Sequence, residues 1–269
     1  MQLCPVCDAL LPPPVMRGGL PLQSCPGCAF RGIDLEQWAY PYAGEDYYAS
    51  LTDAPDVEWR HPFLLHRVAG VRRYQASGRL LELGAGMGET ALALAHAGFC
   101  VDAVEESAKA VSFLKKHHPT VAWHQAEIGD FLIRAPEGAY DIITLFHVLE
   151  HIPRPRRVIA ALPRLLKPGG LVVIELPNPD GLHARLKGDR WHYLQRHHVN
   201  YLGLSTLRRL MADHGFSLLG HEGKYHFSHP QGVWWKDAVK FLLAKIGFAD
   251  ILCTWWRCTP TATFGRSNR

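Results

Sequence analysis

Four cysteines fall in two short pairs, Cys4-Pro5-Val6-Cys7 and Cys25-Pro26-Gly27-Cys28, separated by 17 residues. Cysteines at i and i+3 on a tight turn can aim both sulfurs at one ion. Two such turns complete a tetrahedral Cys4 set of the kind that structural zinc prefers. A closed set of this kind leaves no open position, so it points to folding and not to catalysis. A redox CxxC is the competing reading, but the pairs are doubled and no βαβ pattern precedes them.

A second cluster is His147-Val148-Leu149-Glu150-His151, and a third is Arg196-His197-His198-Val199-Asn200-Tyr201. If Val148 to His151 form a helical turn, positions 147, 150 and 151 share one face. Imidazoles with a carboxylate suit two kinds of chemistry. They can bind a second divalent ion through His147, Glu150, His151 and His198. Alternatively, a histidine near neutrality can act as a general base, with His198 the leading candidate and His147 and His151 next. The bland alternative for each is a hydrogen-bonded structural histidine.

The third group is a glycine loop between carboxylates: Glu82, then Gly84-Ala85-Gly86-Met87-Gly88, with Glu89, Glu105 and Glu127 further on. Glycines let backbone approach a ligand closely. A dinucleotide site wants G-x-G-x-x-G, with pyrophosphate on the helix N-terminus. Here the glycines fall at 84, 86 and 88, and Glu89 follows. An anion at that point opposes a pyrophosphate and suits a phosphate-free cofactor that carries an ammonium and a sulfonium, S-adenosylmethionine (SAM).

These residues need a frame, and the chain supplies one. Short apolar runs at 79–83, 101–105, 121–124, 140–146 and 171–175 read as strands. Helical patterns lie near 60–75, at 89–97, from the N-cap Ser107 to Lys116, and from the fourth strand to Leu166. Lys167-Pro168-Gly169-Gly170 reads as a stop signal. Such alternation predicts an α/β fold of parallel strands with helices on both faces. A helix at 205–214 and further strands at 216–219 and 251–255 complete seven strands. The spacing of Trp234, Ala238, Phe241, Leu242 and Lys245 predicts an amphipathic helix within 232–247. It would pack on the core or lie against a membrane surface.

Leu81-Glu82-Leu83-Gly84-Ala85-Gly86-Met87-Gly88 resembles motif I of the class I SAM-dependent methyltransferases, and the likeness runs over roughly residues 60–260. The resemblance implies a Rossmann-like seven-stranded methyltransferase sheet. It implies Glu82 near the methionine moiety, Glu105 on the ribose hydroxyls, and Glu127 at the adenine amino group with Ile128 beside the ring. Gly84, Ala85, Gly86 and Gly88 would form the cofactor loop. Phe146 and His147 would flank the cofactor and face the substrate. His147-x-x-Glu150-His151 also resembles the metal arrangement of some O-methyltransferases, with His147 where that pattern has Glu. His198-x-x-Tyr201 is similar to a segment of sugar C-methyltransferases that carry an N-terminal zinc module.

The expected organisation is a zinc ribbon over 1–35, a linker and helical cap over 36–75, and a SAM-binding methyltransferase domain over 76–269 with substrate-side helical insertions. Trp38, Tyr40, Tyr42, Tyr47 and Tyr48 could close over the cofactor or simply pack. Hydrophobic residues make up 48% of the chain, enough for a sizeable core. No apolar run reaches the roughly 20 residues of a membrane span. No signal peptide is evident, so a cytoplasmic location is expected. Residues 1–60 carry a net charge of −5 and residues 181–269 a net +8. The acidic N-terminal module disfavours nucleic acid as partner, and with it an rRNA or tRNA methyltransferase. The basic C-terminal third suits an anionic or membrane-adjacent acceptor, or is a solvated face. The expected activity is methylation of a small-molecule or glycan- or lipid-linked acceptor, at oxygen before carbon or nitrogen. An NAD-dependent oxidoreductase and a catalytically silent SAM-binding scaffold are the rivals from other classes.

Overall fold

The computed structural model describes residues 2–36, 61–224 and 249–259. The aromatic stretch at 38–48 and the amphipathic segment at 232–247 lie outside the described residues.

Three short strands open the chain: β1 (Val15–Arg17), β2 (Leu20–Ser24) and β3 (Arg31–Ile33). Helix α1 (Pro62–Arg72) leads to β4 (Arg79–Leu83). Alternating units follow: α2 (Glu89–His96), β5 (Cys100–Glu105), α3 (Ala108–His117), β6 (Ala122–Gln125), α4 (Ile128–Arg134) and β7 (Tyr140–Phe146). A 3-10 turn at Leu149–His151 precedes α5 (Pro155–Leu165) and β8 (Leu166–Pro177). The chain then makes α6 (Leu182–Lys187), a second 3-10 turn at Gly188–Arg190, β9 (Asn200–Tyr201), α7 (Leu204–Ala212), β10 (Phe216–Lys224) and β11 (Ile251–Cys258).

The main sheet has seven strands in the order β10-β11-β8-β7-β4-β5-β6. The five from β6 to β8 are parallel, and β11 runs antiparallel to both β8 and β10. Strand β4 reads Arg-Leu-Leu-Glu-Leu without polar alternation because both of its faces are covered. Leu81, Leu83, Ile143 and Leu145 pack on one side with Ile159 and Leu162 of α5 and Leu207 and Leu210 of α7. Leu80, Ile142 and Val173 pack on the other with Val68 of α1, Leu94 of α2 and Leu114 of α3. At roughly 1.5–3 kcal/mol per fully buried aliphatic side chain, these two layers supply the main drive to fold.

The turn signal at 167–170 does not separate helix from strand. Pairing jumps from Tyr140↔Leu166 to Ile142↔Leu171, so the glycines bulge out of a strand that has already begun. The N-terminal strands form a second sheet of order β1-β2-β3-β9, whose last strand comes from residues 200–201. Cys4, Val6, Leu11 and Phe30 of the cysteine module are buried in the same cluster as α5 and α7.

Candidate active site

The order reverses at β4, with β5 on one side and β7 on the other. Ligands of open α/β sheets bind at such a switch point, outside the carboxyl ends of the strands. The loop after β4 builds the floor there. Gly84 has φ of +71°, and a Cβ on it would come within 2.7 Å of Val148 Cγ2. Its N–H and that of Ala85 both donate to Val104 O at 2.9 Å. Glu105, buried at the end of β5, accepts from Gly86 N at 2.9 Å through Oε2 and from Ser107 N at 3.0 Å through Oε1. One carboxylate thus braces the glycine loop against the start of α3, with lone pairs left for a ligand.

A cavity of about 860 Å³ lies over this floor. Its lining brings together Glu82, Gly84, Ala85, Gly86, Glu105, Glu127, Ile128 and Phe146, expected on the cofactor, with His147, Glu150, His151 and His198 of the two histidine clusters. Gly88 is not in the lining. Its φ is +78°, and a Cβ there would meet Trp123 at 2.6 Å, so its smallness serves helix packing. Glu127 is exposed at the N-cap of α4, and Ile128 is half-buried beside it.

Glu82 is 2% exposed, and its Oε2 has no hydrogen-bond partner among the described residues. Burial pushes its carboxyl up to about 8 from an ordinary 4.5, against the charge of Arg67. A buried carboxylate facing an acid-lined cavity is a place for a cationic group of a ligand. The shift also has a consequence for folding. Between about pH 4.5 and about 8 the native carboxyl holds a proton that the unfolded chain has released. Stability contributed by this group is therefore complete at low pH and falls as pH rises through that window. Thermal melts of the ligand-free protein at stepped pH are expected to show this slope, and Glu82→Gln to flatten it.

Arg67, on α1, was not singled out in the sequence. It donates to Glu175 Oε1 through Nε at 2.9 Å and Nη2 at 2.5 Å, and to Thr90 Oγ1 at 2.7 Å. Its guanidinium lies over the Phe63 and Phe146 rings at 4.2 and 4.5 Å. Glu175 is fully buried and also receives Lys224 Nζ at 3.2 Å. Burial would raise its pKa, but the charges of Arg67, Lys224 and His147 hold it far below the carboxylate range.

On the other wall, His147 has φ of +57°, and its N–H donates to Glu175 O at 2.8 Å. This left-handed step, rare outside glycine, turns the chain sharply off the end of β7. His147 Nδ1 lies 2.9 Å from Glu150 Oε1. Glu150 is 2% exposed, and its Oε2 has no hydrogen-bond partner among the described residues. Burial alone would raise its carboxyl; the hydrogen bond from His147 and the nearby imidazoles hold it below the usual value. His198 is buried, and its Nδ1 sits 2.8 Å from Tyr193 O. A carbonyl only accepts, so Nδ1 carries the proton and Nε2 keeps the lone pair. Burial pushes the imidazole down to about 4, so it is neutral at pH 7. Ligand atoms of Glu150, His151 and His198 all fall within 4.8 Å of one another, and His147 stands outside that set. The expected four-residue group therefore reduces to three, with His147 behind Glu150.

The four cysteines also converge. Their Sγ atoms all lie within 4.8 Å, with Cys4–Cys28 and Cys7–Cys25 each at 3.5 Å. Sulfurs on a tetrahedron of radius 2.3 Å would stand ~3.8 Å apart, so the donor set and its size fit one zinc-sized ion.

A sheet wound in this order, with an acid-lined crevice beyond its first strands, is the class I SAM-dependent methyltransferase fold. A family model described as "Methyltransferase domain" matches residues 58–221. The chain belongs to that family. Among its relatives is the ubiquinone biosynthesis O-methyltransferase of Thiobacillus denitrificans, 34% identical over 107 residues, covering 38% of this chain and 46% of that protein. The enzyme of the same name from Methylococcus capsulatus is 30% identical over 159 residues, covering 55% and 67%. The chain thus spans about half the length of the first of these relatives and two thirds of the second. A SAM-dependent methyltransferase from Archaeoglobus fulgidus shares the fold, with a TM-score of 0.55 over 74% of this chain and 96% of that one at 17% identity. Among the described residues, no helix is long and apolar enough to cross a membrane.

Proposed function

We propose that this protein transfers the methyl group of SAM to a hydroxyl of a small-molecule or lipid- or glycan-linked acceptor. One observation carries the reading: a single cavity joins the acid-lined crevice at Glu82 and Glu105 to the cluster of Glu150, His151 and His198. The donor side fits SAM by chemistry. Glu82 would take the ammonium, Glu105 the ribose diol, and Glu127 the adenine amino group with Ile128 against the ring. Six acidic side chains, at 82, 89, 105, 106, 127 and 150, line the cavity. They would repel a pyrophosphate, which disfavours the nicotinamide alternative. The O-methyltransferase names of the relatives support oxygen as the acceptor atom.

Bound SAM supplies an electrophilic methyl on a sulfonium. The acceptor oxygen forms the new C–O bond as the C–S bond breaks, which leaves the neutral thioether S-adenosylhomocysteine. The chain's own task is to align the oxygen and take its proton. In this reading His198 receives that proton at Nε2, with Nδ1–H fixed on Tyr193 O. Glu150, ionised beside it, stabilises the imidazolium. A divalent ion held by Glu150, His151 and His198 is a second reading, favoured by their convergence within 4.8 Å. The four cysteines, in the same proposal, hold a structural zinc.

Calorimetry with SAM, S-adenosylhomocysteine and NAD tests the cofactor. Binding of the first two only is expected, and binding of NAD alone would refute the reading. Glu105→Ala removes charge-assisted hydrogen bonds worth about 1.5–3 kcal/mol each, so SAM affinity should fall about 100-fold. His198→Ala should lower kcat by about 10²–10⁴-fold with SAM affinity unchanged. Full turnover would discard it as the base. A metal equivalent lost on His151→Ala, with activity restored by added divalent ion in the wild type, would select the metal reading instead.

A further inference from the structure

Away from this cavity, three more metal-ligating side chains meet. His183 lies in the first turn of α6, His192 follows the second 3-10 turn, and Asp250 immediately precedes β11. One ligand atom from each falls within 4.8 Å of the others. None of the three lines the active-site cavity. We propose that His183, His192 and Asp250 form a separate site for a divalent transition ion of the zinc class, which clamps the α6 excursion to the main sheet.

The donor set sets the ion's class. Two imidazole nitrogens and a carboxylate oxygen suit zinc and its first-row neighbours and are poor for calcium or magnesium. The surroundings pre-arrange the donors. Asp250 is 4% exposed and its Oδ1 is doubly held, by Trp191 Nε1 at 3.0 Å and His183 Nδ1 at 2.7 Å. Its backbone is fixed as well: Asp250 O accepts from Asn178 N at 2.7 Å. His183 Nδ1 and Asp250 Oδ1 stand 2.7 Å apart, so a bound ion would take the place of the proton they share. His192 stands on the open side. Its ring centre lies 6.0 Å from that of His183, and its side chain makes no hydrogen bond among the described residues. The site is therefore half built into the fold and half exposed, as ion entry requires.

Its position gives it a consequence. Trp191 and Tyr193 flank His192 in sequence and are buried together with Ala184 and Ile251. Tyr193 supplies the carbonyl that holds His198 Nδ1. An ion at 183/192/250 would thus stiffen the segment that sets the tautomer of His198.

The test uses full-length protein equilibrated with a zinc buffer at micromolar free ion, dialysed and measured by plasma mass spectrometry. His192→Ala and His183→Ala should each contain one zinc fewer than wild type. His151→Ala should keep that zinc, and Cys7→Ser should lose a different one. Because His192 makes no side-chain hydrogen bond among the described residues, its variant should fold normally, as an unchanged Tm in zinc-free buffer would verify. Added zinc should raise the Tm of the wild type more than that of His192→Ala. Equal zinc content in wild type and both histidine variants would overturn the site. So would a loss confined to His151→Ala.

Discussion

Cys28→Ser, or removal of the ion by a strong chelator, is expected to lower the melting temperature and to loosen residues 197–201 together with the ribbon. Structural zinc contributes roughly 10–16 kcal/mol of apparent binding free energy in isolated fingers. The cysteine module here also packs on the main domain, so the loss is expected to be smaller than in an isolated finger. Two routes carry the effect inward. Thr206 Oγ1 donates to Cys28 O at 3.0 Å, and Arg209 Nη1 donates to Gly27 O at 2.9 Å, so the second knuckle is tied to α7. Strand β3 pairs with β9, and Ile33 N donates to Val199 O at 3.0 Å, next to His198. Val199 N in turn donates to Glu150 O at 2.7 Å. Hydrogen exchange with and without chelator checks the prediction directly. Faster exchange should appear in the first 36 residues and in 197–201, with β4 and β7 unchanged. A Tm indifferent to chelation would mean that the four thiols hold no ion.

Arg67→Ala should destabilise the fold by about 3–5 kcal/mol, the range for removing one partner of a buried pair and stranding the other. Glu175 has no access to water and would be left with Lys224 as its close cation and His147 at 3.7 Å. The cation–π contacts of the guanidinium with Phe63 and Phe146 would go as well. Arg67→Lys should recover only part of the loss, because a point charge cannot reach Glu175 and Thr90 at once. Chemical denaturation gives the number, and a change below about 1 kcal/mol would put the ion pair on the footing of a surface one. Since Arg67 also lines the cavity, SAM affinity should fall in the same variant.

Much of this was legible in the residues. The strands at 79–83 and 140–146 are apolar runs ended by glycine or by a polar turn, and a sheet covered on both faces demands such runs. The resemblance to motif I pointed to the carboxylates at 82 and 105, which line one cavity, and the doubled spacing of the cysteines pointed to their convergence. Other features had no local signature. Arg67 finds Glu175 across 108 residues, and nothing near position 67 distinguishes it from a surface arginine. Asp250 and His183 meet across 67 residues. Strand β9 is two residues long and exists only because β3 lies beside it. Lys167-Pro168-Gly169-Gly170 has turn chemistry, yet Leu166 before it already pairs with Tyr140, so a bulge looks like a boundary.

The pairing of β3 with β9 also bears on how such a chain could be inherited or rebuilt. The cysteine hairpin is not a pendant that recombination could pass intact to another protein. Its outer edge is completed by Asn200 and Tyr201, and Asn200 Nδ2 donates to Leu149 O at 3.0 Å, in the turn that carries Glu150. A descendant that lost the hairpin would have to re-cover that edge and re-anchor the loop before the turn that carries Glu150 could take the same place.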